Sequence, residues 1–128
     1  MASAKQVVER LFERARARDI NGMAALMAED VVVHAPGRTS VGGDHKGRDG
    51  FFAFFSRLQE LSNGTLMPEV HAVLGEGEHA VALVQVMAER EGRTAGWNQV
   101  NVYHVHDGLI SEVWITPADT NRWDEFWG

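Results

Sequence analysis

An imidazole takes up or releases a proton near neutral pH, and burial or a neighbouring group tunes which it does. His34 offers that chemistry at the end of an apolar run, Val31, Val32 and Val33. Further along, Asn101 and Gln85 are amides able to aim hydrogen bonds at a ligand oxygen, while Tyr103 and Trp97 each carry a donor on an apolar body. In a dry pocket such donors polarise a carbonyl or hold an enolate, although a neutral amide does so less strongly than a protonated acid. Each of these residues also has a plainer use. A wall histidine can simply bond a backbone carbonyl, and buried amides can satisfy one another inside a core.

The remaining polar residues point less clearly to a site. His104 and His106 stand two apart on one strand and share a face, but no third ligand follows at a recognisable spacing, so no metal is expected. Asp44 and His45 fall in a glycine-rich stretch and read as solvated. His71 has no assignable facing, His79 lies near a turn, and Asp119 suits the cap of a last helix. The chain has no cysteine, which excludes disulfides, zinc–thiolate sites and thiol nucleophiles.

The elements that must position these groups follow from periodicity. Val7, Val8, Leu11, Phe12 and Ala15 recur every three or four residues, giving one apolar stripe on a first helix. Asp19 can cap a short second helix carrying Met23, Leu26 and Met27. Residues 30–35 read as a buried strand closed by Pro36 and Gly37, and 38–47 as a loop. A third helix carries Phe51, Phe52, Phe54, Phe55, Leu58 and Leu61, with Asn63 and Gly64 as its stop. Four phenylalanines in so short a span exceed one buried stripe, which makes Phe51 and Phe55 candidates for a pocket wall. Strands are then expected over 66–74, 79–89, 94–106 and 109–116, turning at 75–77, at Glu91 and Gly92, and at Asp107 and Gly108. A short terminal helix carries Trp123, Phe126 and Trp127.

This order predicts a single α+β domain, 1–128, in which a strongly curved, mainly antiparallel sheet wraps around three helices. Such a sheet need not fill its concave side, so an apolar cavity between sheet and helices is expected. A length of 128 residues suits one domain, and 45% hydrophobic content with 23% charged residues is ordinary for a packed one. A net charge of −6 argues against a nucleic-acid surface, because the arginines at 10, 14, 16 and 18 are interleaved with Glu9, Glu13 and Asp19. The first residues lack the apolar core of a signal peptide and no apolar run approaches membrane-crossing length, so a cytoplasmic location is the expectation.

The segments 28–37, 47–55, 69–74, 107–114 and 118–127 together resemble the SnoaL-like, ketosteroid-isomerase-like proteins of the nuclear transport factor 2-like superfamily. The resemblance spans nearly the whole chain in order and spacing. It implies a cone-shaped fold that commonly pairs as a homodimer through the outer face of its sheet. It also implies that His34 lies near where enzymes of this fold keep a catalytic or water-binding group. Asn101 falls where ketosteroid isomerases carry a protonated, oxyanion-binding Asp. By the same resemblance Trp97, Gln99, Asn101, Tyr103 and Val105 face inward, with Leu83, Gln85, Met87, Val113 and Ile115 beside them, while Glu112 and Trp114 face out. Steroid isomerase chemistry itself is not matched. Ala35 follows His34 where a carboxylate base is needed, and the first helix offers only Val8, Leu11, Phe12 and Ala15 where a tyrosine is needed. The Asp–Arg–Asp set of limonene epoxide hydrolases is missing too.

Two functions are therefore expected as alternatives. One is a cofactor-independent isomerase, cyclase or lyase acting on a small apolar carbonyl compound. There His34 moves the proton, Asn101 with Gln85 or Tyr103 binds the oxyanion, and Phe51 and Phe55 exclude water. The other is a non-catalytic binding domain for an apolar metabolite, partnered by neither nucleic acid nor membrane.

Overall fold

A computed structural model of the chain describes residues 2–128. Helix α1 (Ala4–Arg16) starts at a capping box: the Ser3 hydroxyl accepts from the Gln6 backbone N–H, and the Gln6 side chain accepts from that of Ser3. Its apolar stripe, Val7, Val8, Leu11, Phe12 and Ala15, is buried as the spacing predicts. Asp19 caps α2 (Ile20–Ala24) through the Gly22 N–H. This helix is shorter than expected, and Met27 already opens strand β1 (Met27–Ala35). The glycine-rich stretch is not wholly a loop. It holds an edge strand, β2 (Gly43–Lys46), before α3 (Gly47–Leu61). Strands β3 (Met67–Glu76), β4 (His79–Arg90), β5 (Arg93–His106) and β6 (Leu109–Pro117) follow, then α4 (Thr120–Trp127).

The six strands form one sheet in the order β2-β1-β6-β5-β4-β3, antiparallel except for the β1–β6 pair. Helices α1, α3 and α4 pack against it, and the buried apolar side chains form one contiguous core between helices and sheet. No helix among the described residues is long and apolar enough to cross a membrane.

The turns decide which residues face that core. Glu91 and Gly92 both have positive φ (52° and 77°), the type I′ geometry that joins strands through two residues. Arg90 then pairs with Arg93, so each odd-numbered residue of β5 pairs with an even-numbered residue of β4. Paired residues share a face of the sheet. With Trp97, Gln99, Asn101 and Tyr103 inward, their partners Val86, Val84, Ala82 and Ala80 are inward too. The expectation for Leu83, Gln85 and Met87 is therefore corrected: all three lie on the outer face, and Met87 is 44% exposed. Along β6 a bulge between His104 and Val105 shifts the register by one, bringing Val113 opposite Tyr103 and Ile115 opposite Asn101. Without that extra residue Glu112 and Trp114 would enter the core instead.

Helix α4 closes one end of the inner face. The Asp119 carboxylate accepts from the N–H groups of Asn121 and Arg122, and Arg90 donates to the carbonyls of Phe126 and Gly128 at the other end. Removing the cap in Asp119→Ala is expected to cost about 1 kcal/mol. In a urea titration the midpoint should fall with an unchanged slope, and an unchanged midpoint would show that the cap contributes nothing.

Candidate functional site

Between sheet and helices lies a pocket of about 90 Å³. Phe51 and Phe55, stacked with ring centres 6.1 Å apart, form one wall from α3, and Leu11, Phe12 and Ala15 form another from α1. The sheet side is strand β5 with Val113 and Ile115 of β6. Trp123 and Trp127 of α4 complete the lining, packed against Trp97 with ring centres 5.9 Å and 6.0 Å from it. The small residues Ala80 and Ala82, opposite Tyr103 and Asn101, leave room on the inner face for those larger side chains.

The polar part of this lining is a single strip along β5. Trp97 Nε1–H donates to Gln99 Oε1 at 2.9 Å, Gln99 Nε2–H donates to Asn101 Oδ1 at 3.1 Å, and Asn101 Nδ2–H donates to Tyr103 Oη at 3.1 Å. All four side chains are buried. They meet because alternation puts residues two apart on one face, and inward curvature brings neighbouring side chains closer. Burial raises the Tyr103 pKa well above that of an ordinary phenol, with the Asn101 hydrogen bond opposing, so the hydroxyl stays protonated at neutral pH. The Trp127 indole N–H is buried with no partner among the described residues.

Of the expected site residues, Asn101, Trp97, Tyr103, Phe51, Phe55, Val113 and Ile115 therefore come together. Gln85, Leu83 and Met87 do not. Gln99, between Trp97 and Asn101, faces inward as expected and takes a place in the strip that the sequence reading does not assign to it. Among the described residues, no Asp, Glu, His, Lys or Arg lines the pocket.

His34 is the main correction. It pairs with Asp44 on β2 and with Trp114 on β6, both on the outer face, because Val31 and Val33 occupy the inner positions of β1. The imidazole bridges three strands there: Nδ1 lies 2.8 Å from Asp44 Oδ1 and Nε2 lies 2.5 Å from Glu112 Oε2, with the Trp114 ring stacked alongside. Ionised carboxylates only accept, so satisfying both requires both ring nitrogens to donate, as an imidazolium. The hydrogen bonds to Glu112 and then to Asp44 raise the His34 pKa above its ordinary value. His34 is a cross-link of the sheet's outside and does not reach the pocket.

None of the other histidines lines the pocket, but His45, expected to be solvated, is half-buried: its ring packs on Phe54 with centres 4.4 Å apart, and its Nε2–H donates to the Val41 carbonyl at 3.0 Å. His71 is exposed, and His79 stacks on His104 near Glu78, which accepts from His106 at 2.8 Å. Among the described residues no three His, Asp or Glu side chains converge in a way that would hold a metal.

Residues 8–113 match the profile of the family described as SnoaL-like domain. Among solved structures, Bal32a from a soil-derived mobile gene cassette superposes with a TM-score of 0.93 at 28% identity, covering 98% of this chain and 96% of that one. A nuclear transport factor 2-like protein of unknown function from Burkholderia pseudomallei gives 0.88 at 23% identity, with 99% and 98% covered. TerC, crystallised with polyporic acid, gives 0.86 at 21% identity, with 98% of each chain covered. The last two likenesses speak for the fold alone. No curated protein matches the chain significantly.

The His34 cross-link makes a signed prediction. A raised folded pKa means that its contribution to stability is fully present below the unfolded value of about 6.5 and fades as pH rises through the folded value. The stability difference between the natural protein and His34→Gln should therefore be largest near pH 5.5 to 6 and shrink at alkaline pH. An NMR titration should place the His34 midpoint above that of a free histidine. A midpoint at or below that of a free histidine would refute the bridged arrangement.

Proposed function

This chain belongs to the SnoaL-like domain family, and from that footing we propose that it binds a small, neutral, mostly apolar molecule in the pocket over strand β5. The observation that carries the proposal is the composition of the lining: Phe51, Phe55, Val113, Ile115 and their neighbours supply apolar surface, and one strip of buried amides and a phenol supplies orientation. That combination, mainly hydrophobic walls with a few convergent polar groups, is typical of small-molecule sites. A volume of about 90 Å³ is below the roughly 150 Å³ hollow known to accept benzene, so the occupant is a handful of heavy atoms or a larger molecule inserting one end.

Among the two expected functions, binding is the better supported. The proton-transfer reading keeps its oxyanion half, because Asn101 and Tyr103 are buried donors on the pocket wall. It loses its base, because His34 stands on the opposite face of the sheet and no other lining residue titrates near neutral pH. The binding reading calls for no cofactor.

The outer face of the sheet is proposed as the contact with a second copy of the chain, since Met87, Val100 and Trp114 remain 44%, 38% and 37% exposed there. Sedimentation at tens of micromolar showing only monomer would remove that part of the proposal.

Binding is tested by thermal unfolding with small apolar molecules. Their presence should raise the melting temperature in a concentration-dependent way. Ala15→Leu adds three carbons where α1 lines the pocket. It should abolish that response while leaving the fold intact or slightly stabilised. An equal response in the filled variant would place binding elsewhere.

A further inference from the structure

The strip along β5 has a direction, and Trp97 sets it. Asn and Gln amides can be turned either way, so an amide chain by itself is ambiguous. An indole N–H can only donate. Gln99 must therefore offer Trp97 its carbonyl oxygen and turn its amide nitrogen towards Asn101. Asn101 must then offer its own carbonyl oxygen to Gln99 and its nitrogen to Tyr103, whose oxygen accepts. Turning either amide over would set N–H against N–H, or oxygen against oxygen, at about 3 Å. One residue with no acceptor fixes the polarity of three others.

The far end of this relay is a phenol whose oxygen is engaged and whose proton has no acceptor among the described residues. Tyr103 is 2% exposed and lines the pocket, so that proton is directed to whatever occupies it. The second unpartnered polar group on the same lining, Trp127 Nε1–H, is again a donor. The acceptors on the wall, Gln99 Oε1 and Asn101 Oδ1, already have one partner each, and a carbonyl tolerates a spare lone pair better than a buried N–H or O–H tolerates having no partner. Successive hydrogen bonds running one way also polarise one another and strengthen the terminal donor.

We infer that the pocket selects neutral ligands that present a bare acceptor oxygen, of the ketone, quinone or ester class, to the Tyr103 hydroxyl, and that Trp97 is a positioning residue that enforces this choice through Gln99 and Asn101. The inference rests on the binding function proposed above and specifies its chemistry. A ligand whose polar group only donates can reach no more than a spare lone pair of Gln99 or Asn101, and it leaves the Tyr103 hydroxyl and the Trp127 N–H both unpaired. A carboxylate has acceptor oxygens but finds no cation on the wall to offset its desolvation.

Three probes matched at five heavy atoms separate the possibilities: cyclobutanone as acceptor, pyrrole as donor and cyclopentene as neither. Affinities are read from the indole N–H signals in NMR titrations. The natural protein should bind cyclobutanone about tenfold more tightly than pyrrole, the scale expected for one buried hydrogen bond made against one left unmade. Tyr103→Phe should remove that margin while cyclopentene still binds. Trp97→Phe should narrow it without abolishing cyclopentene binding, because the amides are then free to turn. Should Trp97→Phe fail to fold, Gln99→Met breaks the same relay and carries the same expectation. Pyrrole binding as tightly as cyclobutanone, or a margin untouched by Tyr103→Phe, overturns the acceptor selection and leaves the binding function standing. No binding by any of the three overturns the binding function itself.

Discussion

Two hydrogen-bonded strands turn their paired residues to the same side of the sheet, and in this chain that constraint decides what the interior is made of. The two-residue turn at Glu91 and Gly92 fixes the partners of β5, and the bulge at His104 and Val105 resets the count for β6. Shift the first by one residue and Leu83 and Gln85 would replace small partners such as Ala82 beside the strip from Trp97 to Tyr103; remove the second and Glu112 and Trp114 would take the inner positions of Val113 and Ile115. The pocket, the amide relay and the position of α4 over Trp97 all follow from these two local features.

The elements were largely legible because their signals are local. Helical spacing in α1, the phenylalanines of α3 and the glycine turns between long strands each speak through a few neighbouring residues. Gln85, Leu83 and Met87 were misplaced for a different reason. Strand β4 is apolar on both faces, so alternation carries no sign, and only the register inherited from the turn at Glu91 and Gly92 settles it. That information was present in the sequence, since a two-residue turn already implies which numbers pair. His34 was harder. Val31, Val32 and Val33 are apolar on both faces of β1, and its facing depends on pairing with β6, almost eighty residues away and parallel. Its partner Asp44 sits on an edge strand that glycines disguise as a loop.

The two polar systems of this sheet answer to different physics. On the outside, His34 is held by full charges in partial contact with solvent, an arrangement that salt and pH both modulate. On the inside, the relay from Trp97 to Tyr103 contains no charge at neutral pH, so burial strengthens its hydrogen bonds without the larger cost of desolvating ions. One sheet thus separates a titrating face from a non-titrating one, with backbone pairing as the divider.

The small side chain of Ala15 on the pocket wall gives the unfilled space between sheet and helices a further meaning. Unoccupied apolar volume in a folded core costs roughly 24 cal/mol per Å³, so a pocket of this size forgoes about 2 kcal/mol. For a domain whose whole margin over the unfolded chain is typically 5–15 kcal/mol, that is a substantial fraction. Random change screened for sturdiness alone would drift towards larger side chains there and close the space within a few substitutions.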